Sequence, residues 1–404
     1  MKFFILILQF LFFISVNANK KASEGVNKTP SRTYPSNWTV SPFNYYINTS
    51  SGLDPKPIKE ALEKIQKQSC FRFNPMNDTN FDNTTEGFYF FNSSRCATTL
   101  GNVNRTRLHD IEIGGMCNKP TDVGKIQQLI GKALGMVDQH RRPDRDNYIT
   151  INYTDLIFNR TLADHYLEKW NSSMMHLYGI GYDYSSLFHW KSNVLRRPND
   201  STPTLNAKIS EYNKMMGQTV EFNFGDYKLL NYHFCNDSYV KMYGEMPNCT
   251  NNGYYDINSG QNGTCKCPNG FSGQLCDKLR DSDSSCTNKT DNIATSSNQT
   301  LSISGIKNCT YRIKTSNGNN VLVTILDVKT QMPTEGQKCM PETGFEIKHR
   351  NDKSPAGLCL CGNYSGITLT SEGNEVIVLY TGKSNDDSFN LTYYEVNHEK
   401  NKLR

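Results

Sequence analysis

Thirteen cysteines in 404 residues, behind an apolar leader, constrain this chain more than any other feature of its sequence. Met1 to Ala18, MKFFILILQFLFFISVNA, has one lysine, an apolar run and a small-residue Val-Asn-Ala end, which predicts a secretory signal peptide. The rival reading is an uncleaved anchor, but no second apolar run of about 18 residues follows, so neither a spanning segment nor a membrane partner is expected. A secreted, extracellular chain crosses an oxidising compartment in which cysteines pair. Thirteen is odd, so one thiol is left over, free or joined to a second chain in a disulfide-linked dimer; spacing alone leaves the pairings open.

The same route glycosylates asparagine, and about nineteen Asn-x-Ser/Thr sequons are present. Those expected to carry glycans are Asn37, Asn48, Asn77, Asn83, Asn92, Asn104, Asn152, Asn159, Asn171, Asn199, Asn236, Asn262, Asn288, Asn298, Asn363 and Asn390. Net charge is +5 with both signs interleaved and no basic block, which excludes nucleic acid as a partner.

The stretch Gly124 to Tyr148, GKIQQLIGKALGMVDQHRRPDRDNY, organises the rest. Ile126, Leu129, Ile130, Ala133 and Leu134 recur at helical spacing, and Gly135 supplies the break after them. Helix, glycine turn and returning segment resemble the zinc helix of the metzincins, H-E-x-x-H-x-x-G-x-x-H. Arg142, Asp144, Arg145, Asp146 and Tyr148 continue it in the pattern R-x-D-R-D-x-Y, which resembles the astacin family. In that register the ligand positions hold Gln128, Lys132 and Asp138, Leu129 stands at the catalytic glutamate, and Gln139 replaces the glutamate after the third histidine.

These substitutions remove the family's chemistry. Zinc is held by imidazole, thiolate or carboxylate, and only Asp138 offers one of these. An ammonium at Lys132 repels a dication, and Leu129 accepts no proton, where general-base work is worth about 10²–10⁴-fold. A second segment agrees. Tyr182 to Trp190, YDYSSLFHW, matches the methionine turn at Tyr182, Asp183, Ser186 and His189, with Phe188 at the methionine and Trp190 at the metal-reaching tyrosine. The histidines, at 109, 140, 165, 176, 189, 233, 349 and 398, contain no i,i+4 pair. Lys132 and Asp138, folded back by Gly135, either meet where the metal would sit or face solvent. The R-x-D-R-D charges are read as structural braces.

The resemblance implies an α+β chain: a two-lobed astacin/metzincin-like domain, a small disulfide-rich EGF-like module and an all-β CUB sandwich. The expected boundaries are a signal peptide at 1–18, a flexible lead-in at 19–34, the degenerate peptidase domain at 35–235, the EGF-like module at 236–280 and the CUB domain at 284–396. By family pattern the bridges are Cys70–Cys235, Cys96–Cys117, Cys249–Cys265, Cys267–Cys276, Cys286–Cys309 and Cys339–Cys361, or else Cys339–Cys359, with Cys359 the candidate for the cysteine left over. The family's substrate-pairing edge strand falls on Cys96, Ala97, Thr98, Thr99, Leu100 and Gly101.

The expected function is therefore that of a secreted astacin homologue, catalytically inactive, binding extracellular protein or peptide with no cofactor. Two alternatives stay open: an active zinc metalloendopeptidase with relocated ligands, and an EGF–CUB interaction or matrix protein for which the front domain is a spacer.

Overall fold

The computed structural model describes residue 38 and residues 42–101, 107–245, 247–260, 263–286, 290–334 and 337–397. The leader, the lead-in and the sequons Asn37, Asn104, Asn262 and Asn288 lie outside them. Among the described residues no helix is long and apolar enough to cross a membrane.

Aromatic and β-branched runs at the front form a five-stranded sheet. Its strands are β1 (Phe43–Ile47), β2 (Phe73–Met76), β3 (Gly87–Ser93), β4 (Ala97–Thr98) and β5 (His109–Gly114). Their order is β2-β1-β3-β5-β4, all parallel except β4, which runs antiparallel to β5 on the outer edge. Helix α1 (Lys56–Gln68) buries Ile58, Ala61, Leu62 and Ile65 on one stripe. It packs with α2 (Val123–Ala133) over the inward rings of Phe43, Phe88 and Phe90. The spacing that predicted α2 is met by its burial: Ile126, Leu129, Ile130, Ala133 and Leu134 are each 0% exposed.

Behind α2 the chain is mostly turns. The antiparallel pair β6 (Ile149–Ile151) and β7 (Leu205–Ala207), with the short helix α3 (Arg160–Leu167) in the long connection between them, supports it. Helix α4 (Phe224–Phe234) closes the front domain, and Cys235 bridges to Cys70. Residues 236–243, expected within the small module, instead continue as helix α5 (Asn236–Tyr243). Nothing in NDSYVKMY breaks a helix before Gly244.

Two small hairpins follow, β8 (Tyr254–Tyr255) with β9 (Cys265–Lys266) and β10 (Phe271–Ser272) with β11 (Lys278–Leu279). Bridges Cys249–Cys265 and Cys267–Cys276 hold them. The last ten strands are β12 (Asp291–Ile293), β13 (Gln299–Ser304), β14 (Asn308–Lys314), β15 (Asn320–Lys329), β16 (Phe345–Lys348), β17 (Leu358–Leu360), β18 (Asn363–Tyr364), β19 (Ile367–Thr370), β20 (Glu375–Thr381) and β21 (Ser388–Val396). They form two sheets, β12-β14-β20-β16-β17 and β13-β21-β15-β18, with β19 also on β15. Stacked face to face, these make a sandwich. The fold is thus α+β in front and all-β behind.

The sandwich is not a separate body. Tyr182, Tyr184, Tyr212, Met215 and Met216 of the front domain share one core with Ala356, Leu358, Cys359 and Leu360. Arg350 lies inside it, donating to Tyr182 O at 2.7 Å, with its guanidinium over the rings of Tyr148, Tyr184 and Tyr212 at 5.7–5.9 Å. Asp183 accepts from the Ala356 N–H, and Asp352 accepts from the Gly181 N–H at 2.6 Å. The small module joins both neighbours: Phe271 packs against Ile377 and Leu379, and Asn252 accepts from Lys228 Nζ and from the Lys353 N–H.

Candidate functional site

Helix α2 ends in a Schellman turn: Met136 N–H donates to Gly131 O at 2.8 Å and Gly135 N–H to Lys132 O at 2.9 Å. Gly135 sits at φ 99°, which a side chain would oppose. The chain thereby doubles back, and Lys132 Nζ meets Asp138 Oδ1 at 2.7 Å, with side chains only 12% and 9% exposed. Of the two placements open in the sequence, the structure has the paired one. Burial pushes the Asp138 carboxyl up, but Lys132, His140 and Arg141 outweigh it and hold it below its ordinary value. Asp138 is an anion already neutralised by a cation of its own chain.

The other positions are equally occupied. Gln128 Nε2 donates to Leu187 O at 2.6 Å, and Leu129 is sealed in the apolar core. Phe188 fills the floor so closely that a Cβ on Gly131 would lie 2.4 Å from its Cζ. Gln139 Oε1 accepts from Arg142 Nη1 and from the Asp183 N–H, both at 3.4 Å. Trp190, half-buried, lies 4.4 Å from the His140 ring.

Two histidines neighbour the pair. His189 faces the Trp190 carbonyl with Nδ1, which therefore carries the proton, and its Nε2 accepts from Tyr182 Oη at 2.7 Å. His140 donates Nε2–H to Tyr166 O at 3.2 Å, leaving Nδ1 buried without a partner. Burial lowers both, His189 to about 4 and His140 to about 3, so both are neutral at pH 7. The charges after them hold backbone. Arg142 pairs with Asp144 through two bonds of 2.8 Å and donates to Ile180 O, while Arg145 donates to His140 O and Leu167 O. Ser186 Oγ donates to Asp226 Oδ1 at 2.6 Å, which ties the turn before Phe188 to α4.

The remaining sequence-predicted residues are placed as follows. β4 pairs with β5 alone, Ala97 opposite Glu112 and Thr98 opposite Ile111, so its outer edge carries no strand among the described residues. Cys96 bridges to Cys117, Thr98 and Thr99 hydroxyls reach His109, and Gly101 N–H donates to Lys132 O at 2.8 Å. The edge strand is thus tied to the helix end that carries the ion pair. Bridges Cys286–Cys309 and Cys339–Cys361 lie in the sandwich. Cys359 is free but 1% exposed, and so is out of reach of a second chain in this fold. Each of the twelve described sequon asparagines is exposed or half-buried. Sequence reasoning missed Arg350, Asp352 and Asn252: a buried guanidinium leaves no periodic signal, and the other two lie outside helix and strand, where local pattern does not report long-range bonds.

The front domain is a mostly parallel sheet with one antiparallel edge strand, beside a helix that ends in a glycine turn. The profile of the Astacin peptidase family matches residues 31–235, and the chain belongs to that family. It is 32% identical over 355 residues to zinc metalloproteinase nas-34 of Caenorhabditis elegans, covering 87% of this chain and 54% of that protein. It is 28% identical over 346 residues to zinc metalloproteinase nas-30 of the same organism, covering 85% and 42%. The chain spans about half the length of these curated relatives. Among solved structures it is similar to the hatching enzyme zinc-protease HCE-1 of Oryzias latipes, at 21% identity and TM-score 0.40, over 48% of this chain and 89% of that one. The MASP-1 CUB2 domain is similar at 18% identity and TM-score 0.21, over 26% and 96%.

These relatives correct the expectation of no cofactor: the family is one of zinc metalloproteinases, so zinc is the metal that membership implies. The residues at the ligand positions do not fit it. An amide is committed to a carbonyl, an ammonium stands inside the site, and the one carboxylate is paired with that ammonium. Of the relocated donors, His189 uses both nitrogens, which leaves His140 Nδ1 alone. Among the described residues no three His, Cys, Asp or Glu side chains gather as a metal needs.

Proposed function

We propose that this chain is a secreted binding member of the astacin family, which holds extended extracellular peptide along its cleft without cutting it. The observation that carries this reading is the buried Lys132–Asp138 pair, whose ammonium lies against the carboxylate that the resemblance places at a ligand position. Leu129 beside it has no proton acceptor to offer an attacking water. What the front sheet keeps is the edge strand β4, with no outer strand paired to it among the described residues, and strand addition along a sheet edge needs only backbone donors and acceptors. Supporting the extracellular setting are six disulfides and no membrane-spanning helix among the described residues.

The test is a library of extended peptides carrying a photo-crosslinker, applied to the full chain with and without added zinc. Crosslinks on residues 96–101 with intact peptide support the reading. Cleaved peptide overturns the inactivity, and crosslinks confined to residues 284–396 favour the tail as the binding part. Deleting residues 236–404 is a poor substitute, because it would uncover Tyr184, Tyr212 and Met215.

A further inference from the structure

The outward face of the front sheet carries a row of aromatic rings. Alternation sends Phe43 and Tyr45 inward, leaving Tyr46 outward on β1, with Tyr89 and Phe91 outward on β3. Phe81 joins them from the loop before β3. Tyr46 lies 4.4 Å from Phe81 and 5.8 Å from Tyr89, whose ring is parallel to it, and Tyr89 lies 5.3 Å from Phe91. Phe81 is 42% exposed and the others are half-buried. A row of half-buried rings with Phe81 exposed at its end leaves apolar surface toward water that a cover would shield.

Asn48 occupies the next outward position after Tyr46 and opens the sequon Asn48-Thr49-Ser50. Ser50 Oγ donates to Asn48 Oδ1 at 2.6 Å, which fixes the amide, and Nδ2 donates to Tyr89 Oη at 3.0 Å. The atom that N-glycosylation modifies is therefore held against the aromatic row. It keeps one hydrogen after modification, so the bond to Tyr89 survives.

We propose that Asn48 carries an N-linked glycan whose first N-acetylglucosamine lies over the Tyr46–Tyr89–Phe91 row. The transfer joins Nδ2 to the anomeric carbon of a lipid-pyrophosphate-linked oligosaccharide. The bond from that carbon to the pyrophosphate breaks, the lipid pyrophosphate leaves, and one amide proton goes to solvent. The C–H face of the pyranose packs on the exposed parts of these rings while its hydroxyls stay in water. The inference rests on the secretory reading above and not on the cleft.

The test uses the full chain secreted from a eukaryotic cell, with enzymatic deglycosylation in heavy-oxygen water to mark each occupied asparagine. Asn48 is expected to be occupied, and Asn48→Gln to lower the melting temperature by about 2–4 °C. In a Tyr89→Ser background the same change should cost clearly less, because the middle ring of the platform is gone. An unmodified Asn48 beside occupied sequons overturns the inference and leaves secretion standing. An equal shift in both backgrounds also overturns it. No glycan on any sequon overturns the secretory reading and this inference with it.

Discussion

Replacing Arg350 by methionine tests whether the front domain and the sandwich are one folding unit. Arg350 is buried between them. The change removes a 2.7 Å charge-assisted bond to Tyr182 O and a weaker one to Ala356 O. Each such bond is worth about 1.5–3 kcal/mol. It also removes a desolvated cation over three tyrosine rings, about 2 kcal/mol. Burial alone pushes the Asp183 carboxyl up, and Arg350 is among the groups that hold it down, so its loss leaves a buried anion poorly compensated. Because these terms overlap, the value for breaking one side of a buried charged cluster applies, about 3–5 kcal/mol. For one cooperative unit of about 350 residues each kcal/mol shifts melting by about 1.4 °C, so melting should fall by roughly 4–7 °C. Arg350→Lys should recover part of it, since a point charge replaces a planar fork. The assay is calorimetry on both variants. A melting temperature within about 2 °C of wild type, or a wild type that melts in two separate transitions, would refute the shared core.

Lys132→Met strands Asp138 and should cost about 3 kcal/mol in urea unfolding; a change under about 0.5 kcal/mol would sink the account of the pair. Gly131→Ala drives a methyl into Phe188 and, at 2.9 Å, into Phe222, and should cost about 1–3 kcal/mol, of which Phe188→Met in the same chain should recover part; equal losses with and without the second change would refute the overlap. His140 and His189 titrate near 6.5 in the unfolded chain but at about 3 and about 4 in the fold. Their folded values are depressed, so the stability from keeping them neutral is full above about pH 6.5 and drains as pH falls toward the folded values. At pH 5 each loses about 2 kcal/mol, and His140→Phe should lose correspondingly less between pH 7 and 5 than wild type; an identical drop in both would contradict this. Burial pushes the Cys359 thiol up as well as hiding it. Thiol reagents should therefore modify Cys359 only on unfolding, and rapid labelling of native protein would show the interface to be open.

The front of the molecule was largely legible in the sequence because its signals are local. Periodicity marked α2, Gly135 marked its end, and that turn alone brings Lys132 to Asp138. The strand runs of the sandwich were equally plain, since alternation reports a buried face. Alternation does not report what covers that face. Hence the sandwich read as an appended module, while the structure sets Met215 against Cys359 and Arg350 among three tyrosines of the front domain. Lys348 and Lys353 show the same limit: both bond to backbone carbonyls in the interior, where composition would place them in water. Cys359 is free of a bridge, and only the packing tells that it lies inside.

The shared core also governs what happens to the molecule after it is cut. Among the described residues no disulfide crosses from the front domain to the later segments, since each of the six closes within residues 70–235, 249–276 or 286–361. A protease that nicks the chain between them severs the covalent link, yet the halves remain joined through Arg350, Asp183 and the tyrosines. Such a nicked molecule would run as two bands in denaturant and elute as one particle from a sizing column. Shedding of the sandwich would then be a matter of unfolding, not of cleavage.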